Sequence, residues 1–207
     1  MNSKSKTRRW LAAFLLGAVL LPEAGSAHIP LPPREATDIG RRTVNKSVPD
    51  FKLTDQDGKV FHWADARGKV VLVTFVFTTC PDVCPLFTAN FAGIQRHLDE
   101  KKIADYLLLT ITTDPERDSA AVLKEYAGRF KADFKHWTLL TGTRAELSKV
   151  WKLFGINVIK TESGQVQHTS FTTLVDRQGQ RRIDYYGDKW QEKEVLKDID
   201  WLRAQKQ

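Results

Sequence analysis

The chain predicts a one-domain α/β sandwich, and three observations predict it. Strand-like and helix-like segments alternate from residue 48 onward. One continuous apolar, β-branched and aromatic run, Val70–Phe77, has the character of a strand buried on both faces of a sheet. That run empties into a helix through the only two cysteines of the chain. Of the 207 residues 42% are hydrophobic and 28% charged, with 12 Gly and 8 Pro, a profile that excludes a collagen, a low-complexity chain and a wholly disordered one. At this length one compact domain is the default.

The elements follow in order. Lys4, Lys6, Arg8 and Arg9 precede an apolar run, Trp10–Leu21, of 12 residues. A helix that spans a bilayer takes about 20. Pro22 and Glu23 end the run, and Gly25-Ser26-Ala27 offers the small residues of a cleavage site, so residues 1–27 read as a cleavable export signal and the protein as periplasmic. Thr7-Arg8-Arg9-Trp10-Leu11 is a partial twin-arginine pattern, but two adjacent arginines are common in such a basic segment and the general secretory route is favoured. Much of the formal charge of +7 belongs to this tag. Residues 28–207 carry 28 Lys+Arg against 24 Asp+Glu, a net of +4, and with export this disfavours a nucleic-acid partner.

Residues 28–47 hold three prolines and no apolar period; they are expected to form a flexible arm, with the folded domain over 48–207. Val48–Thr54 and Lys59–Trp63 flank Gln56-Asp57-Gly58 as a hairpin. After the buried strand, Phe87, Phe91, Ile94 and Leu98 recur at helical spacing to about Glu100. Tyr106–Thr112 reads as a strand, followed by a helix from about Pro115 to Phe130 with Val122, Leu123, Tyr126 and Phe130 on its apolar side. Asp114 before Pro115 is a candidate N-cap for that helix, with Asp118 similarly placed. His136–Leu140 is a short strand, and Leu147, Val150, Trp151 and Phe154 mark another helix. Thr169–Asp176 and Arg181–Tyr186 pair across Arg177-Gln178-Gly179, and Val195, Ile199 and Leu202 belong to the closing helix. A cysteine pair between the first central strand and its helix, with a closing ββα unit, indicates a thioredoxin-like three-layer sandwich with an N-terminal β-hairpin extension.

In an exported chain, Cys80 and Cys84 first suggest a structural disulfide. A loop this short constrains the unfolded chain little, which weakens that reading. Cys84 lies at the helix start, where the positive dipole end and free N–H groups favour thiolate, and Pro81 and Pro85 stiffen the turn. The pair therefore reads as reactive or metal-binding. Two thiolates leave a metal site incomplete; soft thiolates select Cu(I) or zinc, and imidazole suits either. Of the five histidines, His28 belongs to the arm, while His62, His97 and His136 have the settings of surface or packing residues. His168 follows the polar segment Thr161–Gln167 and opens a β-branched strand, which makes it the candidate third ligand.

The tract Phe77-Thr78-Thr79-Cys80-Pro81-Asp82-Val83-Cys84-Pro85 resembles the signature of the Sco/SenC family, copper proteins of cytochrome oxidase assembly. Thr113-Asp114-Pro115-Glu116-Arg117-Asp118 resembles the family's second marker, Trp137-Thr138-Leu139-Leu140-Thr141-Gly142 a third, and Val166-Gln167-His168-Thr169 its histidine loop. The resemblance implies a thioredoxin-like fold with Cys80, Cys84 and His168 as copper ligands. It implies a metallochaperone whose partners are a copper donor, a thiol reductant and the copper-containing subunit of a respiratory oxidase, with peripheral membrane association compatible with that role. The rival function is a thiol–disulfide oxidoreductase that reduces the oxidase's own cysteines. Against it, three residues separate the cysteines instead of two, and Ser170 stands about where a thioredoxin-like reductase carries a proline. Two features depart from the family: Gln167 replaces the common acidic residue before the histidine, and the signal looks cleavable where the family is usually membrane-tethered.

Overall fold

The computed structural model describes residues 28–29 and 40–205, and the expected signal segment, 1–27, lies outside them. The described chain runs through β1 (His28–Ile29), β2 (Arg41–Ser47), β3 (Lys52–Asp55), β4 (Val60–His62), a 3₁₀ turn at Trp63–Ala66, β5 (Val70–Val76) and α1 (Cys84–Glu100). It continues through β6 (Tyr106–Thr112), α2 (Ala120–Arg129), β7 (Trp137–Thr141), α3 (Arg144–Phe154), β8 (Val158–Lys160) and β9 (Val166–Thr169). It closes with β10 (Phe171–Val175), β11 (Gln180–Tyr186) and α4 (Glu192–Ala204).

Eight strands form one sheet in the order β2-β11-β10-β5-β6-β7-β3-β4. Its central strands β5, β6 and β7 are parallel and the flanking pairs antiparallel. Successive side chains of a strand point to opposite faces, and β5 shows both faces covered. Val70 and Leu72 pack with Phe87, Phe91 and Ile94 of α1, with Leu123 of α2 and with Val195 of α4. Val71, Val73 and Phe75 pack with Leu147, Val150 and Phe154 of α3 and with Trp63. The result is the expected three-layer, thioredoxin-like sandwich. Its N-terminal hairpin, β3–β4, joins the central sheet through β3 against β7.

Four expectations are corrected. Ordered structure does not wait for Val48: Arg41–Ser47 is an edge strand antiparallel to β11, and Arg41 forms a two-bond ion pair with Asp198 of α4. An edge strand held by backbone bonds and surface charge leaves no apolar period to read. The helix expected from Pro115 begins at Ala120, capped by the Ser119 side chain, because Asp114 and Asp118 turn inward to other partners. Val122, expected on the apolar side of that helix, is 37% exposed. His168 does not follow a plain loop but lies in the second strand of a further hairpin, β8–β9, with β1 parallel to β9 on its other side.

Packing separates two positions of α1. Phe91 is fully buried and Leu86 is 48% exposed. Phe91→Ala should cost about 3–5 kcal/mol, and Leu86→Ala within about 0.5 kcal/mol of nothing. Urea unfolding of the reduced domain measures both; equal losses would contradict this assignment of the helix faces.

Candidate metal centre

The site forms where β5 ends. Val76 is its last residue, and the chain then turns so that the Cys80 N–H donates to the Phe77 carbonyl at 3.2 Å. α1 starts at Cys84, with Pro85 in its first turn, where a proline's missing N–H costs nothing. The Thr88 hydroxyl donates to the Cys84 carbonyl at 2.8 Å one turn later. Both cysteines are free thiols; Cys80 is 7% exposed and Cys84 fully buried. They share a small apolar cluster with Val76, Phe77 and Val166.

Burial decides which sulfur ionises. A hydrogen bond from the Cys84 side chain, opposed by desolvation and helped by backbone N–H groups of Asp82 and Cys84, lowers Cys80 to about 7. Desolvation, followed by the neighbouring Cys80, pushes Cys84 well above the ordinary thiol range. At Cys84 burial thus opposes the effect of the helix start, while backbone N–H groups of Asp82 and Cys84 favour the anion at Cys80.

His168 is fully buried in β9. A carbonyl can only accept, so the Nδ1–H donates to the Thr169 carbonyl at 2.9 Å, and in the neutral ring Nε2 carries the lone pair. The Phe77 ring meets the imidazole edge-on, centroids 5.9 Å apart, and so touches both the cysteine cluster and the histidine. The structure brings the two cysteines together. Among the described residues it does not gather any three His, Cys, Asp or Glu side chains closely enough to hold a metal ion. A cleft of about 260 Å³ opens beside the site, lined by Phe77, Thr79, Pro81, Arg117, Gln165 and Val166.

Of the other histidines, His136 is a packing residue, its ring tilted at 54° against Tyr106 with centroids 4.7 Å apart and its Nδ1 3.3 Å from Asp99, and His62 and His97 are half-buried. Asp114 and Asp118 are both fully buried. Burial raises the Asp118 carboxyl above the ordinary range, opposed by hydrogen bonds from Thr112 and Thr78. Sequence reasoning missed Thr78, Thr112 and Arg117 as partners of these carboxylates. The one available signal was the DPERD tract itself, whose two acids a surface helix start does not require.

A buried dithiol at a strand-to-helix junction, with a buried imidazole on a neighbouring hairpin, defines a thioredoxin-like protein with a thiol centre. The SCO1/SenC family model matches residues 40–204, and the chain belongs to that family. The SCO1 homolog of Bacillus subtilis is 34% identical over 147 residues, covering 70% of this chain and 76% of that protein. The structure of ScoI from Bradyrhizobium japonicum with copper bound aligns at a TM-score of 0.65 and 31% identity, over 75% of this chain and 99% of that one. BsSco aligns at a TM-score of 0.68 and 30% identity, over 80% and 98%; it is described as a member of the Sco family of cytochrome c oxidase assembly proteins and as carrying a disulfide switch.

The thiol assignment sets a pH dependence. Cys80 reacts as thiolate, so iodoacetamide labelling should rise with pH through a midpoint of about 7 and be lost below it, with Cys84 unlabelled over the same range. Peptide mapping of pH-stepped labelling checks this; preferential labelling of Cys84 would reverse the assignment.

Proposed function

We propose that the protein is a periplasmic copper carrier that delivers copper to the copper-containing subunit of a respiratory cytochrome c oxidase. The observation that carries this reading is the buried pair of thiols, one of them held near neutrality, walled by the same Phe77 that packs against His168. Cys80 and Cys84 serve as thiolate ligands and His168 as the neutral imidazole ligand. A copper ion held by both sulfurs would supply the positive charge that favours the Cys84 thiolate, so binding releases protons and weakens in acid. Support for copper comes from the copper-bound relative, and for the oxidase from the family description of BsSco. Periplasmic location rests on the export signal read at residues 1–27; among the described residues no helix is long and apolar enough to cross a membrane.

The decisive variant is His168→Ala. It should lose Cu(II) far more than Cu(I), which two thiolates hold, while leaving disulfide exchange intact. In cells lacking the native gene, oxidase copper content should fall with His168→Ala and with either cysteine→Ser. Full restoration by His168→Ala, with none by Cys80→Ser or Cys84→Ser, would instead make the protein a thiol–disulfide oxidoreductase. Oxidation gives an independent check. Joining Cys80 to Cys84 removes both thiolates, so oxidised protein should release its copper; stoichiometric retention at this site would count against the ligand set.

A further inference from the structure

The tract Asp114–Asp118 touches both sides of the site. On one side the Asp118 carboxylate accepts from the Thr78 N–H at 3.2 Å, from the Thr78 hydroxyl at 2.5 Å and from the Thr112 hydroxyl at 2.5 Å. Thr78 lies inside the turn that sets the Cys80 N–H on the Phe77 carbonyl. On the other side the Arg117 guanidinium, held by Asp114 at 2.9 Å, donates to the Gly164 carbonyl at 3.0 Å. Gly164 is in the turn between β8 and β9, the hairpin that carries His168. The tract itself is anchored: the Asp114 N–H donates to the Thr112 hydroxyl, the Thr113 N–H to the Val76 carbonyl, and the Thr141 hydroxyl to the Asp118 carbonyl.

We propose that this turn is a bracket joining the two ligand-bearing segments, with Asp118 positioning the cysteine turn and the Asp114–Arg117 pair restraining the histidine hairpin. Where it speaks of copper, this rests on the function proposed above. Neither group touches a sulfur in the structure; both act through Thr78 and Gly164. Hydrogen bonds to charged groups are stronger than neutral ones, and here both are made by a turn fixed to the ends of two central strands. The bracket therefore predicts two separable effects, one on each arm.

On the cysteine arm, loosening Thr78 removes a constraint that keeps the sulfurs in bridging range. Asp118→Asn and Thr78→Val should each shift the dithiol–disulfide equilibrium against glutathione about tenfold toward the dithiol. Thr78→Ser, which keeps the hydroxyl, should restore it. Thr78→Val changes no charge, so it also keeps the question answerable if Asp118→Asn fails to fold. On the histidine arm, Arg117→Met should speed amide hydrogen exchange in β9 about tenfold in the metal-free protein and leave the dithiol equilibrium unchanged. Asp114→Asn should act in the same direction with smaller effect. Loaded with copper, Arg117→Met should retain Cu(II) about tenfold more weakly and Cu(I) normally.

Crossed sensitivities would overturn the bracket, as would variants that lower only the thermal midpoint and move neither arm's readout. If the parent protein binds no copper, the proposed function fails, whereas the exchange and dithiol measurements, made without metal, still decide the bracket.

Discussion

Sliding β5 by one residue against its neighbours would send Val71, Val73 and Phe75 to the face of Leu72 and Val70, and every buried contact on both sides would be lost at once. Register is therefore rigid: Val76 lies opposite Thr112 of β6, and Thr74 opposite Thr172 of β10. The turns leaving β5 and β6 start from fixed points. One carries the cysteines and the other the two buried aspartates, and the distance between them is settled by the sheet before any bond at the site is made.

Within that frame the polar groups are arranged to offset their own burial. A carboxylate with no access to water is costly unless donors surround it, and Asp118 has three within hydrogen-bond reach. Asp114 has the Arg117 guanidinium and still leaves Oδ1 without a partner among the described residues. The thiols show the same balance at smaller scale: one proton shared between two sulfurs stabilises the more accessible one as an anion while the deeper one stays neutral. Phe77 and Val166 close the remaining sides with apolar surface.

What was legible in the sequence is what burial writes as a pattern. Val70–Val76 and Tyr106–Thr112 are buried at every position, so their unbroken apolar runs marked them, and the α1, α3 and α4 stripes were equally plain. The Cys80–Cys84 pair and His168 stood out by residue type. Arg41–Ser47 and Val158–Lys160 were not legible, because strands held by backbone pairing with mostly exposed side chains carry no period. Asp114 and Asp118 misled for a different reason. Asp before Pro is also how a helix begins, and only the tertiary positions of Thr78, Thr112 and Gly164 turn those acids inward. The helix-start argument at Cys84 is local, whereas the burial of that sulfur, which pushes its thiol up, is set by tertiary packing.

Cys84 is sealed and Cys80 keeps a narrow opening beside the cleft at Thr79, Pro81 and Arg117. Anything arriving from solvent, whether an ion on a donor's ligand or another protein's sulfur, meets Cys80 first and reaches Cys84 only through it. The outer sulfur is thus the doorstep of the centre, and the inner one is screened behind it.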